Sequence, residues 1–181
     1  MDMKTKIIPP VLFLAVVLAA CAPLATVVPT KTAIPMADNF FFVFVDYSCS
    51  AVPVNVLDTK SATLVHTPLE GTDSVTISLR LTGDELVTIY EKAISIGFFD
   101  YPLIFVIPDN QVLGYMAPAF RYQLSITNGE MTNSVSWTDD TMTKPNYTKA
   151  DELREHIQLV EETIQSHPEY KQLPGPRFAC A

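Results

Sequence analysis

The feature that most limits how this chain can fold is Thr127-Asn128-Gly129-Glu130, flanked by two strand-like runs at residues 120–126 and 131–138. Asn-Gly is the preferred pair for a two-residue type I′ loop, because both central positions need positive φ. A loop centred on that pair sets Ile126 opposite Met131, Leu124 opposite Asn133, Tyr122 opposite Val135 and Phe120 opposite Trp137. One side of this expected hairpin is then almost wholly apolar and must pack on something.

The rest of the chain supplies the packing partners. Residues 39–48 hold Phe40, Phe41, Phe42, Val43, Phe44 and Val45, which predicts a central strand buried on both faces. Pro53 breaks it, and shorter strands are expected at residues 54–57 and 62–67. Val75, Ile77, Leu79 and Leu81 alternate with polar residues, as in a half-exposed antiparallel strand. Thr82-Gly83-Asp84-Glu85 has the form of a capping box. Leu86, Ile89, Tyr90, Ala93 and Ile94 follow at helical spacing up to a stop at Gly97. A second amphipathic helix opens at Thr148 or Lys149, carries Leu153, Ile157, Val160 and Ile164 on one face, and closes at Pro168. Residues 112–118 and 139–146 read as irregular chain and polar loop. Together these elements predict an α+β domain over residues 39–181: one antiparallel sheet with the hairpin, and two amphipathic α-helices packed on one face.

Ahead of that domain, Lys4 and Lys6 precede an apolar run over residues 7–20, broken by Pro9-Pro10. The run is short of the ~20 apolar residues of a transmembrane helix and suits a secretory signal. It ends Leu18-Ala19-Ala20-Cys21. This stretch resembles the lipobox of bacterial lipoproteins. The resemblance implies a signal peptide over residues 1–20, removed before Cys21, and a lipid on the Cys21 sulfur. Residues 21–38 would then be a lipid-anchored linker, rich in Pro and Thr and without fixed structure, with Pro23, Pro29 and Pro35 favouring extended chain. The expected place is the bacterial cell membrane, on its extracytoplasmic face.

Charge and cysteine count fit that setting. The chain has a net charge of −8, and residues 1–20 carry a net +1, so removing them leaves 161 residues at −9. An acidic surface argues against nucleic acid and against polybasic attachment to anionic lipid, so the membrane link must be the lipid itself. Of the three cysteines, Cys49 and Cys180 remain once Cys21 is lipidated. Outside the cytoplasm they either pair or persist as two free thiols, and the compartment favours the bridge.

The order Asn55-x-x-Asp58-Thr59, Leu81-Thr82-x-x-Glu85-x-x-x-Ile89-Tyr90, Phe98-Phe99-x-Tyr101-Pro102, Trp137 and Glu169-Tyr170-Lys171-x-Leu173-Pro174 resembles a group of uncharacterised bacterial lipoproteins over most of residues 40–174. That resemblance implies no activity and no assigned site.

No catalytic set is visible. Glu152, Glu155 and His156 lie close on the second helix, but the paired His of a zinc helix is missing, and a solvated helix face is the plainer reading. Cys49 as a nucleophile is less favoured than its bridge. Asp139-Asp140 and Asp151-Glu152 are carboxylate pairs of the kind that face water or a helix N-terminus. No phosphate-cradling Gly loop and no Gly-x-Ser-x-Gly turn occurs. Neither cofactor nor metal is expected. Leu103, Phe105, Ile107, Tyr115 and Met116, a proline-bounded apolar stretch and its continuation, are candidates for a partner-binding patch if exposed. The leading expectation is a non-enzymatic binding domain of the cell envelope. The alternatives are an inhibitor or protective lipoprotein against a secreted enzyme, and an unrecognised envelope hydrolase.

Overall fold

The computed structural model describes residues 34–68 and 73–174. The expected signal peptide over residues 1–20, Cys21, most of the expected linker and Cys180 lie outside the described residues. The described residues fall in one compact unit. Among the described residues its class is α+β, with a mostly antiparallel seven-stranded sheet and three helices. Seven strands lie in the order β4-β3-β2-β1-β6-β7-β5. They are β1 (Phe41–Ser48), β2 (Asn55–Asp58), β3 (Thr63–His66), β4 (Val75–Ser78), β5 (Ile104–Phe105), β6 (Val112–Asn128) and β7 (Met131–Thr143). The helices are α1 (Gly83–Ser95), α2 (Lys149–Ser166) and the short α3 (Pro168–Lys171).

β1 is central, but it is not buried on both sides. Phe42 and Phe44 are buried, while Phe41, Val43 and Val45 are half-buried. The apolar run reads as two-sided because aromatic and β-branched residues occupy both faces, yet only one face meets the core. Phe42 and Phe44 join Leu57, Leu64, Leu124, Ile126, Val135 and Trp137 with the buried residues of α1 and α2 in one apolar cluster. Each such fully buried side chain contributes ~1.5–3 kcal/mol.

β6 and β7 pair antiparallel, in a register two residues from the expected one. Asn128 faces Met131, Ile126 faces Asn133, Leu124 faces Val135 and Tyr122 faces Trp137. The loop is therefore Gly129-Glu130, with the positive φ of 65° at Gly129. Asn128 belongs to the strand because its side chain is used elsewhere. Its Oδ1 accepts from Ala37 N at 2.6 Å, and its Nδ2 donates to Pro35 O at 3.1 Å. A shift of two residues preserves which side chains face inward, so the apolar side survives the correction. The same contacts hold residues 35–37, expected as unstructured linker, against the hairpin end. The Tyr90 hydroxyl adds a hydrogen bond to Ile34 O.

The capping box is present: Glu85 N donates to Thr82 Oγ1 and Thr82 N donates to Glu85 Oε2 at 2.7 Å. Gly97, at φ 68°, ends α1 in the left-handed region that glycine accepts without strain. A 3₁₀ turn at Phe98–Asp100 then delivers the chain to β5, which pairs with β7 in parallel. The direction is forced by connectivity. β5 leads through a second 3₁₀ turn, Asp109–Gln111, into β6 at the end where β7 finishes. Both strands must run toward that end. β6 and β7 are also longer than expected. Val112, Gly114 and Tyr115 pair with Thr143, Met142 and Thr141, and the register slips between Tyr115 and Phe120. The result is an arm beyond the main sheet, where irregular chain and polar loop were expected.

Candidate functional site

The arm and β5 form an end of the domain that is unusually apolar on its outside. Within residues 103–107 the side chains alternate. Phe105 and Ile107 are only 5% and 6% exposed, while Leu103, Ile104 and Val106 are 66–70% exposed. Leu113 and Tyr115, on one side of β6, are 62% and 75% exposed. Of the five residues expected as a patch, Leu103, Tyr115 and Met116 lie on the surface, and Phe105 and Ile107 belong to the core. Phe105 packs edge-on against Trp137, with ring centroids 5.7 Å apart. Ile104, Val106 and Leu113 carry surface that the sequence reading missed. The period-two alternation of residues 103–107 was the available signal, hidden because every residue in the run is apolar.

Two clefts flank the arm. One, of about 290 Å³, lies between β5 and the arm, with Phe105 and Trp137 at its base and Ile104, Val106, Tyr115, Asp109 and Asp140 around it. The other, of about 570 Å³, is lined by Met116, Phe120, Met142, Asp151 and Arg154 among others. Arg154 secures the structure between them. It takes Asp139 and Asp151 as ion pairs at 2.7 and 2.6 Å and donates to Thr141 O at 2.7 Å. Its hydrogen bonds to Asp139 hold the guanidinium pKa above its ordinary value. Asp139, expected on a solvated loop, is thus neutralised from α2.

A second cluster was not foreseen at all. Asp46 is buried and carries no ion pair among the described residues. It accepts from Ser48 N at 2.5 Å, Ser48 Oγ at 3.1 Å and Asn55 Nδ2 at 3.2 Å. Asn55 Oδ1 meets His66 Nδ1 at 2.8 Å, and His66 Nε2 meets Pro174 O at 3.1 Å. Every one of these polar groups has a partner, as burial requires, so the chain Asp46-Asn55-His66 ties the C-terminal segment to β2 and β3. Glu161 on α2 feels the same region. Burial first, then the charges of Asp46 and Glu162, raise its pKa to about 7.

His156 corrects another expectation. It is wholly buried rather than on a solvated face. Neither ring nitrogen has a partner among the described residues, and burial lowers its pKa to about 4, with Lys92 adding to the effect. It contacts Phe98, ring centroids 5.9 Å apart. Among the described residues no group of His, Cys, Asp and Glu is arranged to hold a metal ion.

Cys49 is disulfide-bonded and is the one cysteine among the described residues. Among those residues no helix is long and apolar enough to cross a membrane. No family model matches the chain, and no curated protein matches it.

Proposed function

We propose that this protein is a non-enzymatic binding domain, carried on the extracytoplasmic face of a bacterial membrane by the lipid on Cys21, and that its partner docks on the end formed by β5 and the arm. The observation that carries this reading is the exposure of Leu103, Ile104, Val106, Leu113 and Tyr115, each at 62% or more. Large apolar side chains grouped in this way mark an interaction surface. An inhibitor or protective lipoprotein is a special case with the same surface and a defined target enzyme.

Two finer structural readings belong to the proposal. Both amphipathic helices cover the same side of the sheet, since the buried positions of β1, β2, β3, β6 and β7 fall on one side. The loop at Gly129-Glu130 leaves the Asn-Gly pair as the hairpin signal with a shifted register. Cys180 is the proposed partner of Cys49. Pro174 is bonded to His66 in the cluster that reaches Asp46, three residues before Cys49. The six residues from Pro174 to Cys180 reach ~20 Å at full extension, enough for the bridge.

The test is a crosslinked pull-down of the full lipidated protein from its own membranes, comparing wild type with Val106→Glu and Leu113→Glu. Both positions are exposed, so the variants keep the fold. The proposal expects a partner enriched by wild type and lost from both variants. Equal enrichment by all three removes the docking surface.

A further inference from the structure

The cleft between β5 and the arm is apolar in its walls and negative in its charge. Ile104, Val106 and Tyr115 form the walls, and Asp109 and Asp140 line the same space. Neither carboxylate has an ion pair or a side-chain hydrogen bond among the described residues. The contrast with the adjacent pair is direct: Asp139 and Asp151 are both held by Arg154. Among the described residues no Lys, Arg or His lines this cleft. Thr141, buried on its edge, has a hydroxyl without a partner among the described residues. Carboxylates beside low-dielectric walls project a stronger field than they do in open water.

We infer that this cleft receives a lysine or arginine side chain from an otherwise apolar face of a protein partner. The inference rests on the docking end proposed above and gives its occupant a chemistry. A long cationic side chain matches both parts of the cleft, its methylene stem lying along apolar walls and its head reaching the carboxylates. The volume of about 290 Å³ is at the lower limit of small-molecule pockets, which suits one side chain better than a free cofactor. A second copy of this chain is a poor occupant. With 20 acidic residues against 12 basic ones, two copies meeting here would oppose like charges.

Trp137 is the one tryptophan of the chain and sits at the base of the cleft, so its fluorescence reports occupancy. The experiment titrates the full chain in detergent with the peptide Ac-Leu-Lys-Leu-NH₂ and with analogues carrying norleucine or glutamate in the middle. The expected result is at least fivefold tighter binding of the lysine peptide than of the norleucine peptide, and still weaker binding of the glutamate peptide. The lysine preference disappears in the double variant Asp109→Asn, Asp140→Asn, whose substitutions change charge and not shape. Equal affinity for lysine and norleucine peptides, or a lysine preference that survives the double variant, overturns the inference. Partner capture from membranes that is lost in Val106→Glu but unchanged in the double variant leaves the docking end in place and removes only the cationic subsite.

Discussion

Arg154 holds Asp139 in a fork, with Nε 2.9 Å from Oδ2 and Nη2 2.7 Å from Oδ1. The guanidinium also lies 5.3 Å from the centre of the Trp137 ring. One side chain on α2 thereby fixes the strand that forms the base of one cleft and the edge of the other. Lysine at this position keeps the charge but loses the planar fork. Arg154→Lys is expected to lower stability by ~1–3 kcal/mol, seen as a fall in the urea midpoint at unchanged slope. A midpoint equal to wild type would show that the fork is a surface ornament.

The hairpin register predicts a second effect. Asn128→Ala removes the acceptor for Ala37 N and the donor to Pro35 O at a buried site. The expected loss is ~1–3 kcal/mol. Exchange of the Ala37 amide hydrogen should quicken in the variant well beyond the change seen in the strand interiors. Uniform quickening throughout the sheet would place Asn128 in the general core rather than in a local clasp.

Much of this architecture is legible in the sequence, and the division follows range. The capping box needs only Thr82 and Glu85, three positions apart, and α2 needs only the spacing of Leu153, Ile157, Val160 and Ile164. Both are local and both are present. Asn128 was misplaced because its partners stand 91 and 93 positions away, and Asn-Gly looks the same whichever way it is used. Residues 139–143 read as loop because two adjacent aspartates suggest water, and nothing nearby names Arg154 as the neutralising group. Gly114 and Pro118 disguised the start of β6. The direction of β5 depends on where β6 begins, which a two-residue strand does not state. Of the proposed docking end, the apolar composition was visible and the alternation of inside and outside was not.

Two buried titratable groups predict an unusual pH response. His156 has a folded pKa of about 4 against an ordinary 6.5. The unfolded chain takes its proton first as pH falls, so this contribution is complete above pH 6.5 and is lost down to about 4, by roughly 3 kcal/mol in all. Glu161 works in the opposite direction. Its folded pKa of about 7 lies above the ordinary 4.5, so the folded state binds the proton more tightly. Its contribution is complete below pH 4.5 and is lost as pH rises through 7, by roughly 2 kcal/mol after allowance for its partial exposure. The two slopes oppose each other between pH 4.5 and 6.5, and from these two groups wild-type stability there is nearly flat. His156→Leu should uncover a melting temperature that falls with rising pH, and Glu161→Gln one that falls with acid. If both variants remain flat across this window, the two groups are not the source of the balance.

The disulfide of Cys49 offers a further check. Pairing with Cys180 closes a loop whose removal costs up to ~5 kcal/mol in the chain-entropy model. Cys49→Ser and Cys180→Ser should then destabilise equally, and the double variant no more than either alone. A Cys180→Ser variant with wild-type stability would assign Cys49 a different partner.

The most direct measurement places a photocrosslinking amino acid at position 113, on the exposed side of the arm, and separately at Lys60, in the turn between β2 and β3. Each full-length protein is illuminated in the cells that produce it. A binding domain that docks through β5 and the arm gives a discrete adduct from position 113 and none from position 60. An adduct from position 60 alone, or none from either position, would contradict the proposed docking end.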